Sequence, residues 1–157
     1  MAFGWGNESR GDDGLGPLLL RRIEAANFAD VATVEDYQLQ IEHALDLDGA
    51  ELALFVDAGR GGPSPFAFTE IFAHDGHAHT THALAPEAVL EVFRRVRSRA
   101  PPPAFALAVR GESFELGQPL SVDGAQRLEA AWRFIGELMR SPSAEAWRAF
   151  AGAQPVD

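Results

Sequence analysis

Three polar residues far apart in the chain have the side chains of a metal site: Asp13, Asp57 and His82. Two carboxylates and an imidazole suit a borderline divalent cation such as nickel or zinc. Asp13 follows the first predicted strand, Asp57 the third, and His82 the loop after a predicted edge strand. The carboxyl ends of parallel strands lie on one side of a sheet, so these residues can converge there. Their spacing is not the compact H-E-x-x-H pattern, and the pattern alone indicates a metal only weakly.

Each of these residues also has a structural interpretation. Asp13 could cap the following helix, Asp57 could form a turn at a strand end, and His82 could be an ordinary surface or core histidine. A second cluster could bind a metal by itself, although a mobile polar loop is its commoner explanation. Its members are His74, Asp75, His77 and His79.

The glycine-rich stretch from Gly4 to Gly16 carries the first of the three residues. Its two adjacent aspartates are predicted to cap the next helix, and since one is enough, the other is free to face the ligand side of the sheet. Gly4 and Gly6 begin a G-x-G-x-x-G pattern, but Ser9 stands where the third glycine belongs. The carboxylates of the loop would also repel a phosphate. A nucleotide-binding regulator on a flavodoxin-like sheet is therefore disfavoured.

The elements that position these residues follow from hydrophobic periodicity. The residues of 52–56 are all apolar, as in a strand buried on both faces at the centre of a parallel sheet. The connection 60–65 is too short for a helical crossover, so the strand after it is antiparallel to a neighbour or at the edge. The chain is predicted to be a three-layer α/β sandwich with a mostly parallel sheet and helices on both faces. Helices are predicted over 15–26, 41–47, 86–99, 121–139 and 144–150, and strands over 1–5, 31–37, 52–56, 66–72 and 105–109.

Composition restricts the available chemistry. The 157 residues suit one domain, 1–152, followed by a loose tail, 153–157. The chain has no cysteine, and its 13 basic residues are all arginine, which excludes thiolate ligands, Schiff-base chemistry and a P-loop lysine. The net charge of −10 argues against a nucleic-acid partner. No apolar run could span a membrane and no secretion signal is apparent, so we expect a cytoplasmic protein without a membrane partner.

Four elements, taken together, resemble the nickel-iron hydrogenase maturation endopeptidases. They occur in matching order from the first residues to about Ile135. They are Gly6-Asn7-x-x-x-Gly11-Asp12-Asp13-Gly14-x-Gly16, Phe55-Val56-Asp57-Ala58, Thr81-His82-x-Leu84-x-Pro86 and Phe114-Glu115-Leu116-Gly117-x-x-Leu120-Ser121.

The resemblance implies a twisted five-stranded sheet between helices, with one antiparallel edge strand. It implies an endopeptidase that removes the C-terminal extension of a hydrogenase large-subunit precursor after nickel insertion. Nickel carried by that precursor would be the recognition element, contacted by Asp13, Asp57 and His82, with no organic cofactor. The family often has glutamate at the position of Asp13, so this side chain reaches one methylene less far. We expect a monomer.

Both the catalytic role of the metal and the class of function stay open. The metal could polarise the scissile carbonyl or activate a water, with Asp13 and Asp57 as the participating carboxylates. Alternatively, Asp57 could act as general base while the metal only docks the precursor. A different class of function, a non-catalytic nickel chaperone or docking module for hydrogenase assembly, would use the same three residues.

Overall fold

A five-stranded, mostly parallel sheet forms the centre of the computed structural model, which describes residues 1–74 and 84–152. The spatial order of its strands is β2-β1-β3-β5-β4, and only the β4–β5 pairing is antiparallel among the pairings within these residues. The strands are β1 (Ala2–Trp5), β2 (Thr33–Asp36), β3 (Ala53–Arg60), β4 (Phe66–Ile71) and β5 (Ala104–Gly111).

Four α-helices and two 3-10 helices surround the sheet within the described residues. None of these helices combines the length and apolar character that crossing a bilayer requires. The α-helices are α1 (Leu15–Ala26), α2 (Pro86–Arg97), α3 (Val122–Arg140) and α4 (Ala144–Gly152), and the 3-10 helices span Glu8–Gly14 and Ile41–Leu47. The predicted three-layer α/β sandwich with its antiparallel edge strand is therefore confirmed.

Strand β3 shows why both faces of the sheet are covered. Its side chains alternate between two hydrophobic clusters, with Leu54 and Val56 on the side of α1, α3 and α4. Ala53 and Phe55 lie on the opposite side, with α2 and the Ile41–Leu47 helix. A strand with apolar neighbours on both faces reads as a continuous apolar run, which is how this one appears in the sequence.

The short connection after β3 decides the direction of β4. Residues 61–65 join the two strands without a helix, so β4 turns back and pairs antiparallel to β5, which lies between β3 and β4. In contrast, β3 and β5 are parallel neighbours over eight residue pairs. The carboxyl ends of β1, β2, β3 and β5 therefore meet at one edge of the sheet, called the carboxyl edge below.

One strand boundary corrects the sequence prediction. The predicted third strand stopped before Asp57, whereas β3 continues through Asp57 to Arg60. Each added residue has a partner on β5, and Asp57 itself is opposite Ala108. Backbone pairing thus carries the strand past the point where its side chains become polar.

Candidate functional site at the carboxyl edge of the sheet

Asp57 lies on β3 near the carboxyl edge and shares the face of Phe55. Its side chain is partly exposed, yet protein surrounds most of it. Burial raises the pKa of Asp57 to about 7, an effect that the N–H of Ala58 opposes by donating to Oδ1 at 2.7 Å. The charge of Asp13 raises the pKa further, and a hydrogen bond from the Trp5 side chain lowers it. A carboxyl perturbed in this way near the carboxyl edge of the sheet is a candidate functional group.

Asp13 lies in the Glu8–Gly14 helix, directly before α1, and is half-buried. Its Oδ2 accepts a hydrogen bond from the backbone N–H of Asn7 at 2.9 Å. The predicted cap is wrong: the N-cap residue of α1 is Gly14, and no side chain caps that helix. Asp13 instead stabilises the turn after β1, because its hydrogen-bond partner Asn7 is the N-cap of the 3-10 helix that follows this strand.

Two glycines allow this segment to approach the strand ends. Gly6 has a φ of +138°, and a Cβ there would lie 1.9 Å from the carbonyl oxygen of Asp13. At Gly16, in the first turn of α1, a Cβ would lie 2.5 Å from the carbonyl oxygen of Trp5 and 2.8 Å from that of Val56. The loop, β1 and β3 therefore meet closely. This packing explains how the charge of Asp13 reaches Asp57.

Asp12 does not cap α1 as predicted, because no side chain caps that helix. It is fully buried, with 0 % of its surface exposed. Its Oδ2 accepts from the N–H of Glu112 at 2.7 Å, the N–H of Ser113 at 3.2 Å and the hydroxyl of Ser121 at 2.7 Å, while Oδ1 accepts from the N–H of Ser121 at 2.8 Å. Burial opposes ionisation, but these hydrogen bonds outweigh it and lower the pKa of Asp12.

The buried carboxylate connects two loops of the carboxyl edge. Three backbone hydrogen bonds of 2.6 to 3.0 Å also join residues 9–12 to residues 113–118. The loop after β5 is thus hydrogen-bonded to the segment that contains Asp13. We call this arrangement, Asp12 with the backbone of residues 9–12 and 113–121, the Asp12 clasp.

Sequence reasoning missed Trp5 as a site residue. Its ring packs edge-on against Phe55 at 6.3 Å between centroids, and its side chain donates a hydrogen bond to Asp57. The register of β1 and β3 puts Gly4 opposite Val56, so the next residues on the two strands are neighbours. A tryptophan at the end of a short strand was the available signal, but only strand order could pair it with Asp57.

His82 lies outside the described residues, as do Asp75, His77 and His79 of the alternative cluster. His74, the remaining member of that cluster, is exposed. Within residues 1–74 and 84–152, no three histidine, aspartate or glutamate side chains are grouped so that they could hold a metal ion. Of the three predicted ligands, the structure brings Asp13 and Asp57 together, and the role of His82 stays a prediction.

Another imidazole near this edge is already engaged. His43 Nδ1 accepts the backbone N–H of Gln40 at 3.0 Å, and Nε2 lies 3.3 Å from Asp36 Oδ2 at the end of β2. An accepting Nδ1 places the ring proton on Nε2, facing the carboxylate. His43 therefore caps the Ile41–Leu47 helix and orients Asp36, and both of its nitrogens are used by the fold.

The two adjacent carboxylates have a defined chemical capacity. Ionising Asp57 beside Asp13 is unfavourable in the free protein, and a cation placed between them would relieve that repulsion. A carboxyl whose pKa is near 7 can also accept or release a proton at neutral pH. The pair thus suits a cation that arrives with a substrate, or proton transfer during hydrolysis.

Solved structures similar to this chain include hydrogenase maturation proteases. The chain is similar to the [NiFe] hydrogenase maturation protease HycI of Thermococcus kodakarensis, with a TM-score of 0.69 and 21% identity over 89% of this chain and 91% of that one. Similarity to the hydrogenase maturating endopeptidase HybD of E. coli gives a TM-score of 0.67 and 18% identity over 89% and 91% of the two chains. For the endopeptidase HycI of Escherichia coli the values are 0.66 and 17% over 88% and 89%.

No protein-family model and no curated protein sequence matches this chain. The structural likeness extends over about nine-tenths of each chain. The chain therefore has the fold of the hydrogenase maturation proteases.

Proposed function

We propose that this chain is an endopeptidase that removes the C-terminal extension of a nickel-iron hydrogenase large-subunit precursor. Nickel inserted into the precursor is the recognition element, and Asp13, Asp57 and His82 contact it. The metal thus belongs to the substrate. No organic cofactor takes part.

The observation that carries this proposal is the pairing of Asp13 with Asp57 at the carboxyl edge. Burial and the neighbouring charge raise the pKa of Asp57 to about 7, which is unusual for an aspartate and typical of functional sites. The pair lies on a fold shared with known maturation proteases. Ligands of open α/β sheets bind at this edge.

In the proposed reaction, a water molecule attacks the carbonyl carbon of the scissile peptide bond. The carbon–nitrogen bond breaks, the new carboxylate remains on the large subunit, and the departing tail leaves with a free amine. One water proton passes to that amine, and Asp57 has a pKa suited to carry it. The second proton is lost when the new carboxyl group ionises and goes to the amine or to solvent. Asp13 keeps its backbone hydrogen bond to Asn7 and so offers its other carboxylate oxygen to the cation.

The decisive experiment compares nickel-loaded and nickel-free precursor as substrates, with the mass of the large subunit as the readout. We expect shortening of the nickel-loaded form only. Asp13→Asn and Asp57→Asn should each abolish it while keeping the shape of the side chain. Asp30→Asn is the matched control, because Asp30 is exposed, precedes β2 at the opposite edge and has a φ of 60° that asparagine tolerates.

Three results would contradict the proposal. Equal shortening of both precursor forms would remove nickel as the recognition element. Tight nickel binding by the isolated chain without shortening of any precursor would favour the chaperone or docking module instead. Retention of cleavage by both asparagine variants would show that the paired carboxylates are not the site.

A further inference from the structure

A cleft of about 400 Å³ lies at the carboxyl edge, and two of its lining residues, Arg10 and Arg60, are each three residues along the chain from one of the two site aspartates. Its walls come from three segments that also build the candidate site. They are the Glu8–Gly14 helix, the end of β3 and the loop after β5, which supply Arg10, Arg60, Glu112, Ser113, Phe114 and Glu115. The Asp12 clasp joins the first and third of these segments, so the walls of the cleft are held together by the fold.

Two cations line this cleft without a carboxylate partner among the described residues. Arg10 and Arg60 are both exposed. The Arg60 guanidinium lies over the Phe114 ring, 3.9 Å from its centroid, which fixes its position while leaving its N–H groups available. Most other arginines form ion pairs, for example Arg148 with Glu70 at 2.7 Å. Two guanidinium groups in one cleft that have no carboxylate partner in residues 1–74 and 84–152 are unusual on a chain with a net charge of −10.

The carboxylates in the cleft do not cancel these cations. Glu112 is already engaged by Arg127 at 2.7 Å and lies 3.4 Å from Arg110. Only Glu115, among the described residues that line the cleft, is an unpaired carboxylate. The local charge of the cleft is therefore positive, whereas the two site aspartates, each three residues along the chain from one of its arginines, repel anions. A bound peptide that reached both places would meet opposite charges.

We infer that the Arg10–Arg60 cleft binds a carboxylate group of the peptide substrate. The inference rests on the proposed function and adds a specificity subsite to it. Arg60 follows Asp57 by three residues on β3, a separation of roughly 10 Å along a strand. Because side chains alternate along a strand, Arg60 leaves the sheet on the face opposite to Asp57, so a peptide held at Asp57 reaches the cleft by passing over the carboxyl edge, about three residues along its length. The group bound there is an acidic side chain or the C-terminal carboxylate.

Direct binding tests the cleft without any cleavage. Three Gly/Ser hexapeptides serve as probes: one with an internal glutamate and an amidated end, one with glutamine and a free C-terminal carboxylate, and one with glutamine and an amidated end. Binding is followed through the backbone amide NMR signals of residues 113–115. At least one carboxylate peptide should shift these signals, and the neutral peptide should not. The peptide that responds identifies the source of the carboxylate.

A double variant removes both cations. Arg10→Gln/Arg60→Gln should weaken binding of the responsive peptide about tenfold, as expected for loss of charge-assisted hydrogen bonds. The control with the same net charge is Arg133→Gln/Arg140→Gln, at two exposed positions of α3. Equal binding by the two double variants, or equal binding of neutral and carboxylate peptides, would overturn the subsite.

Precursor cleavage separates the subsite from the proposed function. With nickel-loaded precursor, Arg10→Gln/Arg60→Gln should raise KM about tenfold, and the loss should fall on KM rather than kcat because the cleft is remote from the scissile bond. An unchanged KM in an active enzyme overturns the subsite alone. Carboxylate binding by the wild type without cleavage of any precursor overturns the proposed function and leaves the cleft as a carboxylate site.

Discussion

Asp57 is the residue at which stability and the proposed activity conflict. Folding places its carboxyl among protein atoms and beside Asp13, and this raises its pKa from 3.8 to about 7. The folded chain therefore binds this proton more tightly than the unfolded chain does. The stability that the protonated form contributes is complete below pH 3.8 and is lost as the pH rises through about 7. A carboxylate at this position thus destabilises the free protein at alkaline pH.

We predict that Asp57→Asn raises the free energy of unfolding at pH 8 by roughly 1 to 3 kcal/mol, because the amide carries no charge to desolvate. The difference from wild type should shrink toward pH 4. Urea unfolding of metal-free protein across this pH range measures it. The amide oxygen can still accept the N–H of Ala58, so this part of β3 keeps its geometry.

Asp30→Asn provides the comparison for this measurement. It makes the same change in charge at an exposed position. We expect a difference from wild type below about 0.5 kcal/mol across the same pH range. If the stability of Asp57→Asn paralleled that of wild type at every pH, the raised pKa of Asp57 would be wrong.

His82 carries the second residue-scale prediction. If its imidazole serves as a ligand of the precursor's nickel, His82→Ala should abolish processing while the melting temperature changes by only a few degrees. The assay of nickel-loaded precursor and a thermal scan of the same preparation check both parts. A large fall in melting temperature would instead identify a structural histidine.

At the scale of elements, the Asp12 clasp joins the start of α3 to the loop that contains Asp13. Ser121 has two functions there, since its hydroxyl donates to Asp12 at 2.7 Å and accepts the N–H of Gly124 at 2.9 Å as the N-cap of α3. Gly124 leaves room for the buried carboxylate: a Cβ on it would lie 2.4 Å from Asp12 Oδ1. The helix start and the loop are therefore packed as one unit.

We predict opposite effects for the same substitution at two positions of α3. Gly136→Ala should stabilise the protein by roughly 0.5 to 1 kcal/mol, because within the described residues no atom outside the adjoining helix backbone lies within 4 Å of the added Cβ and alanine favours the helix. Gly124→Ala should destabilise it by about 1 to 3 kcal/mol, because the new methyl displaces Asp12 from its donors. Chemical denaturation of both variants measures the contrast. Stabilisation by both would mean that the clasp tolerates displacement.

A second pH-dependent contribution to the free energy of unfolding comes from Glu91 on α2. Glu91 is buried and accepts hydrogen bonds from Arg94 and Arg95, which lower its pKa to about 2. The stability contributed by this lowered pKa is present above pH 4.5 and is lost as the pH falls toward 2. Glu91→Gln should therefore show a smaller loss of stability than wild type between these pH values, as measured by urea unfolding. Parallel pH profiles for the two proteins would contradict this.

At the scale of the whole molecule, the sheet couples its two hydrophobic clusters. Neighbouring residues of β3 face opposite sides, Leu54 toward one cluster and Phe55 toward the other, and each is 1 % exposed. A side chain lost on either face weakens the same central strand. The two layers of helices are thus expected to unfold together.

We predict that Leu54→Ala and Phe55→Ala each lower the free energy of unfolding by about 2 to 5 kcal/mol. Each variant should retain one cooperative transition. Far-ultraviolet and near-ultraviolet circular dichroism should give coincident curves. Separate transitions for the two variants, or probe-dependent midpoints, would show that the faces unfold independently.

Local patterns in the sequence predicted most of the architecture because the physics behind them is local. The apolar periodicity of 15–26 gave α1 its bounds, and the five-residue link after β3 required a reversal before β4. The same reasoning placed Asp13 and Asp57 on one edge of a parallel sheet. This reasoning was wrong about the roles of Asp12 and Asp13 in the loop. An aspartate just before a helix can either cap that helix or accept hydrogen bonds from another loop, and the sequence pattern is the same in both cases.

Chain order by itself determined the layers, the direction of the edge strand and the edge that carries the polar residues, because helix and strand periods are read from neighbours a few positions apart. Tertiary packing alone decided that Asp12 is buried under a loop 100 residues away, that Trp5 donates to Asp57, and that Arg10 and Arg60 share a cleft. Such contacts depend on strand order and loop approach. Those are set by how the whole core closes, and no short stretch of sequence encodes them.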